Sequence, residues 1–237
     1  MTLLTLFQTA SRYTGDGVIK DLKRWIILIV LFIIQFFSLS LIPLLTGYVA
    51  RIFHNPDSVP KTNDWINLFI DGWKLNLICI MYAIPAIIIL VFFGVLSIIS
   101  FDAAMAYFQG NSSILITTLL DIIGIFGIAI AGVLFIFLTL VMFMAMVRAM
   151  RKKSLIEAVN ITEIVKDVGL KTGWFHYLIL WIILWILSLI FTFICYVFLL
   201  IPPIYYIPVG LLPVFIITPL WAVFCARYIT LIYDGMV

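Results

Sequence analysis

Residues 68–100 read "LFIDGWKLNLICIMYAIPAIIILVFFGVLSIIS". Asp71, Gly72 and Lys74 stand directly against an apolar run, 75–100, that carries no charge. A helix crosses a hydrocarbon core of about 30 Å with roughly 20 apolar residues, so this run is long enough to span a bilayer. Three further runs, 114–147, 174–200 and 207–226, also qualify, and 25–49 is ambiguous. The whole chain is 65% apolar and 11% charged, against about 25% charged in an ordinary soluble domain. That composition excludes a water-soluble globule and predicts an all-α, polytopic membrane protein forming one integral membrane domain over 1–237.

The placement of charge sets the expected topology, because cytoplasmic loops of membrane proteins concentrate Lys and Arg. Connections 101–113 and 201–206 contain no basic residue, whereas Arg12 to Arg24, Arg51 to Lys74, Arg148 to Lys171 and Arg227 are grouped elsewhere. The expectation is a multi-pass protein of the cell membrane with cytoplasmic N- and C-termini and these two connections outside. Segment 25–49 has basic residues on both flanks. A single crossing would put Arg12, Lys20, Lys23 and Arg24 outside. A re-entrant hairpin keeps all 14 basic residues inside, and its tip, at Gln35, Ser38, Ser40 and Pro43, must pack on protein because lipid cannot satisfy open backbone. The charge rule favours the hairpin; the residues leave the crossing open.

The chain also resembles itself. "GDGVIKDLKRWIIL", "IDGWKLNLICI" and "KDVGLKTGWFHYLIL" each place Asp, Gly and Lys before an apolar run, and the return arms end at Arg51, Arg148 and Arg227. Three pseudo-repeated hairpins follow, about 20–53 (short), 75–150 and 174–232. Between them lie two stretches too polar to span. Residues 63–73 align Trp65, Leu68, Phe69 and Trp73 on one helical face, with Asn63 or Asp64 as N-cap. Residues 154–170 align Leu155, Ala158, Val159, Thr162 and Val165. Both read as interfacial helices, as does the N-terminal "MTLLTLFQTASRYTGDG", which lacks the basic lead and cleavage site of a secretory signal.

The surface motif "W-x-x-L-F-x-D-G-x-K" (Trp65 to Lys74), an N-terminal "Y-x-G-D-G" and the hydrophobic hairpins behind them resemble the archaeal membrane family called domain of unknown function 4013. The resemblance implies an archaeal polytopic membrane protein and brings no activity with it.

Candidate sites each have a structural alternative. Asp71 with Lys74, like Asp16 with Lys20 and Asp167 with Lys171, suits proton relay, but Gly72 also lets the chain bend into the bilayer while Lys74 snorkels to the headgroups. Asp121 lies about 40 Å along a helix from Arg148, which puts it, with Asp102, at the outer interface. Gln35, Ser38, Ser40 and Thr46 form a polar tip of the kind that lines a transport pathway, or else bond their own backbone. Gly124, Gly127 and Gly132 read as a close-packing face. His54 and His176 lack a third ligand at metal spacing, and Cys79, Cys195 and Cys225 have no paired spacing, so no metal, cofactor or catalytic group is assigned. Trp65, Trp73, Lys74, Arg148, Arg151, Lys152 and Lys153 are read as interfacial anchors, the last four attracting anionic lipid headgroups. Asn111 heads an external sequon and Asn160 an internal one.

The absence of any nucleotide, zinc or nucleophile motif favours a non-enzymatic protein that organises the membrane or serves as an accessory or scaffold subunit. Its expected partners are the bilayer, other membrane subunits or its own copies, and not nucleic acid. The alternative is a small-substrate transporter or channel lined by the re-entrant tip. Cysteines introduced at Ser112 and Lys152 are expected to react with impermeant reagents from opposite faces; reaction of both from one face would refute the hairpin topology.

Overall fold

The computed structural model describes residues 3–55, 57–108, 114–200 and 207–235. It is all-helical: α1 (Leu3–Thr14), a π-helical turn (Gly15–Ile19), α2 (Leu22–Phe37), α3 (Leu44–His54), α4 (Trp65–Phe108), α5 (Ile114–Lys152), a 3-10 turn (Leu155–Ala158), α6 (Ile161–Lys171), α7 (Trp174–Leu200) and α8 (Ile207–Tyr233). No strand occurs among the described residues. Four helices are long and apolar enough to cross a membrane, over Trp65–Leu96, Ile122–Lys152, Trp174–Phe198 and Leu211–Tyr233.

The chain divides into two compact units, 79–142 on one hand and 1–78 with 143–237 on the other. In the 79–142 unit large apolar side chains point outward, Phe92 at 64% exposure and Val133 at 70%. Such faces are costly in water and suited to hydrocarbon. A β-carbon on Gly127 would overlap the Phe93 ring, whereas one on Gly132 meets nothing. The expected glycine face therefore reduces, among the glycines whose surroundings are described, to Gly127.

In the other unit α1, α2, α3 and α7 all pack on α8. The buried face of α7 is Tyr177, Leu180 and Leu184, spaced at three and four residues, and the Tyr228 hydroxyl donates to the Leu180 carbonyl at 3.2 Å. The N-terminal helix does more than rest on a surface: Leu6 and Ala10 are fully buried and Phe7 meets Phe224 edge-on at 5.4 Å. Pro219 deprives the Phe215 carbonyl of its helical donor, and the neighbouring Ile216 carbonyl accepts from the Trp25 indole at 3.2 Å.

Three expectations are corrected. The interfacial segment 63–73 is not separate from the span, because α4 runs unbroken from Trp65 through Asp71 and Gly72. Gly72 is not a bend: a β-carbon there would overlap the Pro43 carbonyl, as one on Gly47 would overlap that of Leu68. The glycines let the backbones of α3 and the first turns of α4 touch. At the other end α4 continues to Phe108, well into the expected 101–113 connection, where no Gly or Pro stands between Ser100 and Gly110. Asn111, Ser112 and 201–206 lie outside the described residues, as do the side chains of Asp102 and Asp121.

The stretch 154–170 is likewise not one helix. It breaks at Asn160, whose side chain caps α6 by accepting from the Glu163 amide at 3.3 Å. The break shifts the helical phase, so Ala158, Ile164 and Val168 are buried while Leu155 and Val159 are exposed. The candidate cap Asp64 sits just before α4 with φ 69°; its carbonyl accepts from the Leu68 amide at 3.1 Å, and its carboxylate accepts from the side-chain Nδ2 of Asn67.

Gly47→Ala and Gly72→Ala are expected to destabilise the purified protein by about 2 kcal/mol each, the cost of overpacking. Gly132→Ala should be neutral or raise stability by up to about 1 kcal/mol, the helix-propensity gain. Thermal denaturation in detergent measures both; equal effects at all three would refute the close approach.

Candidate functional site

The hairpin of α2 and α3 turns over residues 38–43, where Leu39 and Ser40 adopt φ 51° and 63°. Its polar tip is closed on itself. Gln35 donates to the Thr46 hydroxyl at 2.9 Å and accepts from the Thr46 amide at 3.0 Å, joining the two arms. Ser38 donates to the Gln35 carbonyl and accepts from the Ile42 amide, both at 3.1 Å. Pro43 stands at the N-cap of α3. α2, with 16 residues, is only about 24 Å long.

The strongest concentration of charge lies at the end of α5. Arg148 is buried, with Nε 2.8 Å from Glu157 and Nη2 3.9 Å from Glu163, while Nη1 bonds Asp167. Asp167 also accepts from the Tyr233 hydroxyl at 3.3 Å. The 3-10 turn and α6 thus meet on one guanidinium, and Asp167 links it to α8. Arg151 donates to the Phe53 carbonyl at 2.8 Å and to Asp234 at 2.9 Å, and Lys152 pairs with Glu157 at 3.1 Å. Arg148 and Arg151 are thus held by internal carboxylates and a carbonyl, whereas Lys152 is half exposed. Lys153 differs: it has no ion pair or hydrogen bond among the described residues and takes φ 53°. Left-handed backbone in a residue other than Gly, Asn or Asp stores strain.

Of the three Asp–Lys repeats, Lys20 reaches Asp16 at 2.6 Å and Lys74 reaches Asp71 at 2.7 Å. The third is diverted: Asp167 serves Arg148, and Lys171 lies 4.2 Å from the centre of the Tyr233 ring. Trp65 is half exposed and Trp73 packs edge-on against Phe69 at 6.5 Å. His54 Nδ1 is 2.9 Å from the Met150 carbonyl and so donates to it. His176 meets the Phe175 ring. Among the described residues no three His, Cys, Asp or Glu side chains gather as a metal site, and the three cysteines are free.

A cavity of about 240 Å³ opens between α3, the first turns of α4 and the end of α5. Arg51, Lys74, Lys153, His54 and Asp71 line it, with Ala50, Ala149, Met150 and Leu155 as apolar wall. Arg51 gives Nη1 to the carbonyls of Lys61 and Asn63, both at 2.8 Å, and Nη2 to that of Asp64 at 2.9 Å. It therefore ties the loop before α4 to α3 and lends the cavity charge.

Over residues 26–201 the chain matches the family described as a protein of unknown function (DUF4013). The chain belongs to this family. No curated protein and no solved structure matches it. The matched region contains the α2–α3 hairpin from Ile26 onward, Arg148 with its three carboxylates, and every residue lining the cavity. Sequence reasoning missed Glu157, Glu163, Tyr233 and Asp234. The signal for the first two was present as acidic residues soon after the "RAMRKK" run, whereas Tyr233 and Asp234 are remote in sequence and reach the cluster through the fold.

Arg148→Lys is expected to lower stability by about 2–3 kcal/mol, because an ammonium cannot serve partners in three directions and the carboxylates then repel. The Glu157 carboxyl is held below its ordinary value by the hydrogen bonds from Arg148 and Lys152. A depressed folded-state value contributes stability above the unfolded pKa, about 4.3, and loses it as pH falls through the folded value. Hydrogen exchange over 155–171 should accelerate on acidification below about pH 4 in the native protein, and this step should vanish in Glu157→Gln.

Proposed function

We propose that the protein is a non-enzymatic, multi-pass membrane protein that organises the bilayer or serves as an accessory or scaffold subunit of a membrane complex, with both termini cytoplasmic. The observation that carries this reading is the closed hairpin tip. Gln35 spends its amide on Thr46 in both directions, and Ser38 bonds backbone on both sides. A pathway through the tip would need those groups turned toward a permeating solute.

The hydroxyls of the long helices support the same reading. Thr139, Ser188, Thr192 and Thr218 each donate to the carbonyl four residues earlier in their own helix. Outward apolar faces, Phe193 at 69% exposure among them, offer lipid or a partner helix a contact surface.

Vesicles containing the purified chain are expected to pass potassium, chloride and protons no faster than empty vesicles. Gentle solubilisation of native membranes should give an assembly larger than the monomer, which Trp65→Ala with Trp73→Ala shrinks. Saturable flux that Gln35→Leu abolishes would overturn the proposal in favour of transport.

A further inference from the structure

We propose that the cavity between α3, α4 and α5 binds an anionic, phosphate-bearing ligand, either a lipid headgroup or a free phosphoryl anion. Three cations, Arg51, Lys74 and Lys153, line it with one carboxylate, Asp71; Asp71 lies 2.7 Å from Lys74, and the Asp64 carboxylate just outside lies 4.0 Å from Arg51. The C-termini of α3 and α5 point here, and each contributes roughly −0.5 charge. Lys153 is thus the lining cation without a carboxylate, and at the end of α3 the Phe53 carbonyl is already met by Arg151; Lys153 stands beside a partly apolar wall, where low dielectric strengthens attraction to an anion.

The division of labour among neighbouring cations sharpens the case. Arg148 and Arg151 are committed to internal partners, and Lys152 pairs with Glu157 away from the cavity. Lys153, next in the chain, is held in a strained backbone conformation at the cavity and has no counter-ion among the described residues. Helix dipoles alone do not account for it, since the Met150 carbonyl is already taken by His54 and that of Ala149 by the Ser154 amide. Lys74 can turn from Asp71 to an incoming phosphate, because the pair is only partly buried and such pairs are weak. Arg51, with Nη1 and Nη2 spent on carbonyls, supplies field without moving. The volume, about 240 Å³, falls below that of a site for a drug-sized molecule and suits a headgroup or a small anion. The inference rests on the cavity alone and stands independently of the scaffold reading.

The test uses the full chain in detergent with two probes. Native mass spectrometry compares retention of phosphatidylglycerol with that of the zwitterionic phosphatidylcholine, and thermal denaturation compares inorganic phosphate with chloride at matched ionic strength. Preferential retention of phosphatidylglycerol without stabilisation by phosphate identifies a lipid headgroup; stabilisation by phosphate identifies the free anion. In either case Lys153→Asn should weaken binding about tenfold, the scale of one charge-assisted contact. Asn tolerates the left-handed backbone, so this variant should retain the fold. Lys153→Arg should restore binding, and Lys23→Asn, an exposed cation outside the cavity, should leave it unchanged. Failure of both probes, equal retention of the two lipids, or equal loss in Lys23→Asn would overturn the proposal.

Discussion

The buried guanidinium of Arg148 is the constraint on which the polar end of the 1–78/143–237 unit depends. A cation removed from water costs several kcal/mol unless its donors are met. Here Glu157, Glu163 and Asp167 meet them from three directions. The requirement acts on backbone as much as on side chains. Glu157 stands on the 3-10 turn and Glu163 and Asp167 on α6, so the chain has to double back immediately after α5. Asn160 breaks the helix where that return requires it. Asp167 then passes the constraint to α8 through the Tyr233 hydroxyl, and Thr172 fixes the same helix by donating to the Ile232 carbonyl at 2.7 Å.

A second constraint is steric. Gly47 and Gly72 remove the β-carbons that would keep α3 off the first turns of α4. Because the two backbones touch, Arg51 can reach the three carbonyls before α4, and the Asn76 amide lies 3.4 Å from the Ser40 carbonyl in the hairpin turn. The cavity is a consequence of the same arrangement: α3 and α4 meet closely at the glycines, and the cavity opens where Arg51, Asp71 and Lys74 leave the contact. Small residues at a crossing and charged residues beside it are thus two parts of one packing solution.

Hydropathy made the four long helices legible, since a run of twenty or so apolar residues has few alternatives to a spanning helix. It was poor at their ends. Nothing local in "LFIDGWKLN" distinguishes a glycine that bends a chain from one that admits a neighbouring backbone, and Pro43 is remote in sequence. The hairpin tip was legible as a polar cluster beside a proline; that Gln35 pairs with Thr46 and not with a solute was not, because both uses ask for the same residue types. The basic run 148–153 misled for a related reason. Charge at the end of an apolar span is ordinarily written off to headgroups, yet Arg148 and Arg151 are consumed internally and Lys152 pairs with Glu157, and the acids they meet lie 5 to 83 residues along the chain.

The repeated arginines at 51, 148 and 227 show that like positions in sequence need not have like energetics. Arg148 is met by carboxylates, and Arg51 by three carbonyls with the Asp64 carboxylate 4.0 Å away. Arg227, also buried, has only the exposed Asp57 at 3.9 Å and the face of the Tyr13 ring at 5.2 Å, while its Nε and Nη1 find no hydrogen-bond acceptor among the described residues. A ring face recovers less than a carboxylate does, about 2 kcal/mol at best. The Tyr13 phenol, pushed up to about 12 by burial, stays neutral and donates to the Ser58 carbonyl at 3.2 Å, so it adds no negative charge to compensate. The junction of α1, α8 and the loop carrying Asp57 and Ser58 is accordingly the least compensated of the three arginine contacts. Since a buried donor left without an acceptor costs stability, the same packing holds this junction less firmly than carboxylates hold the Arg148 cluster.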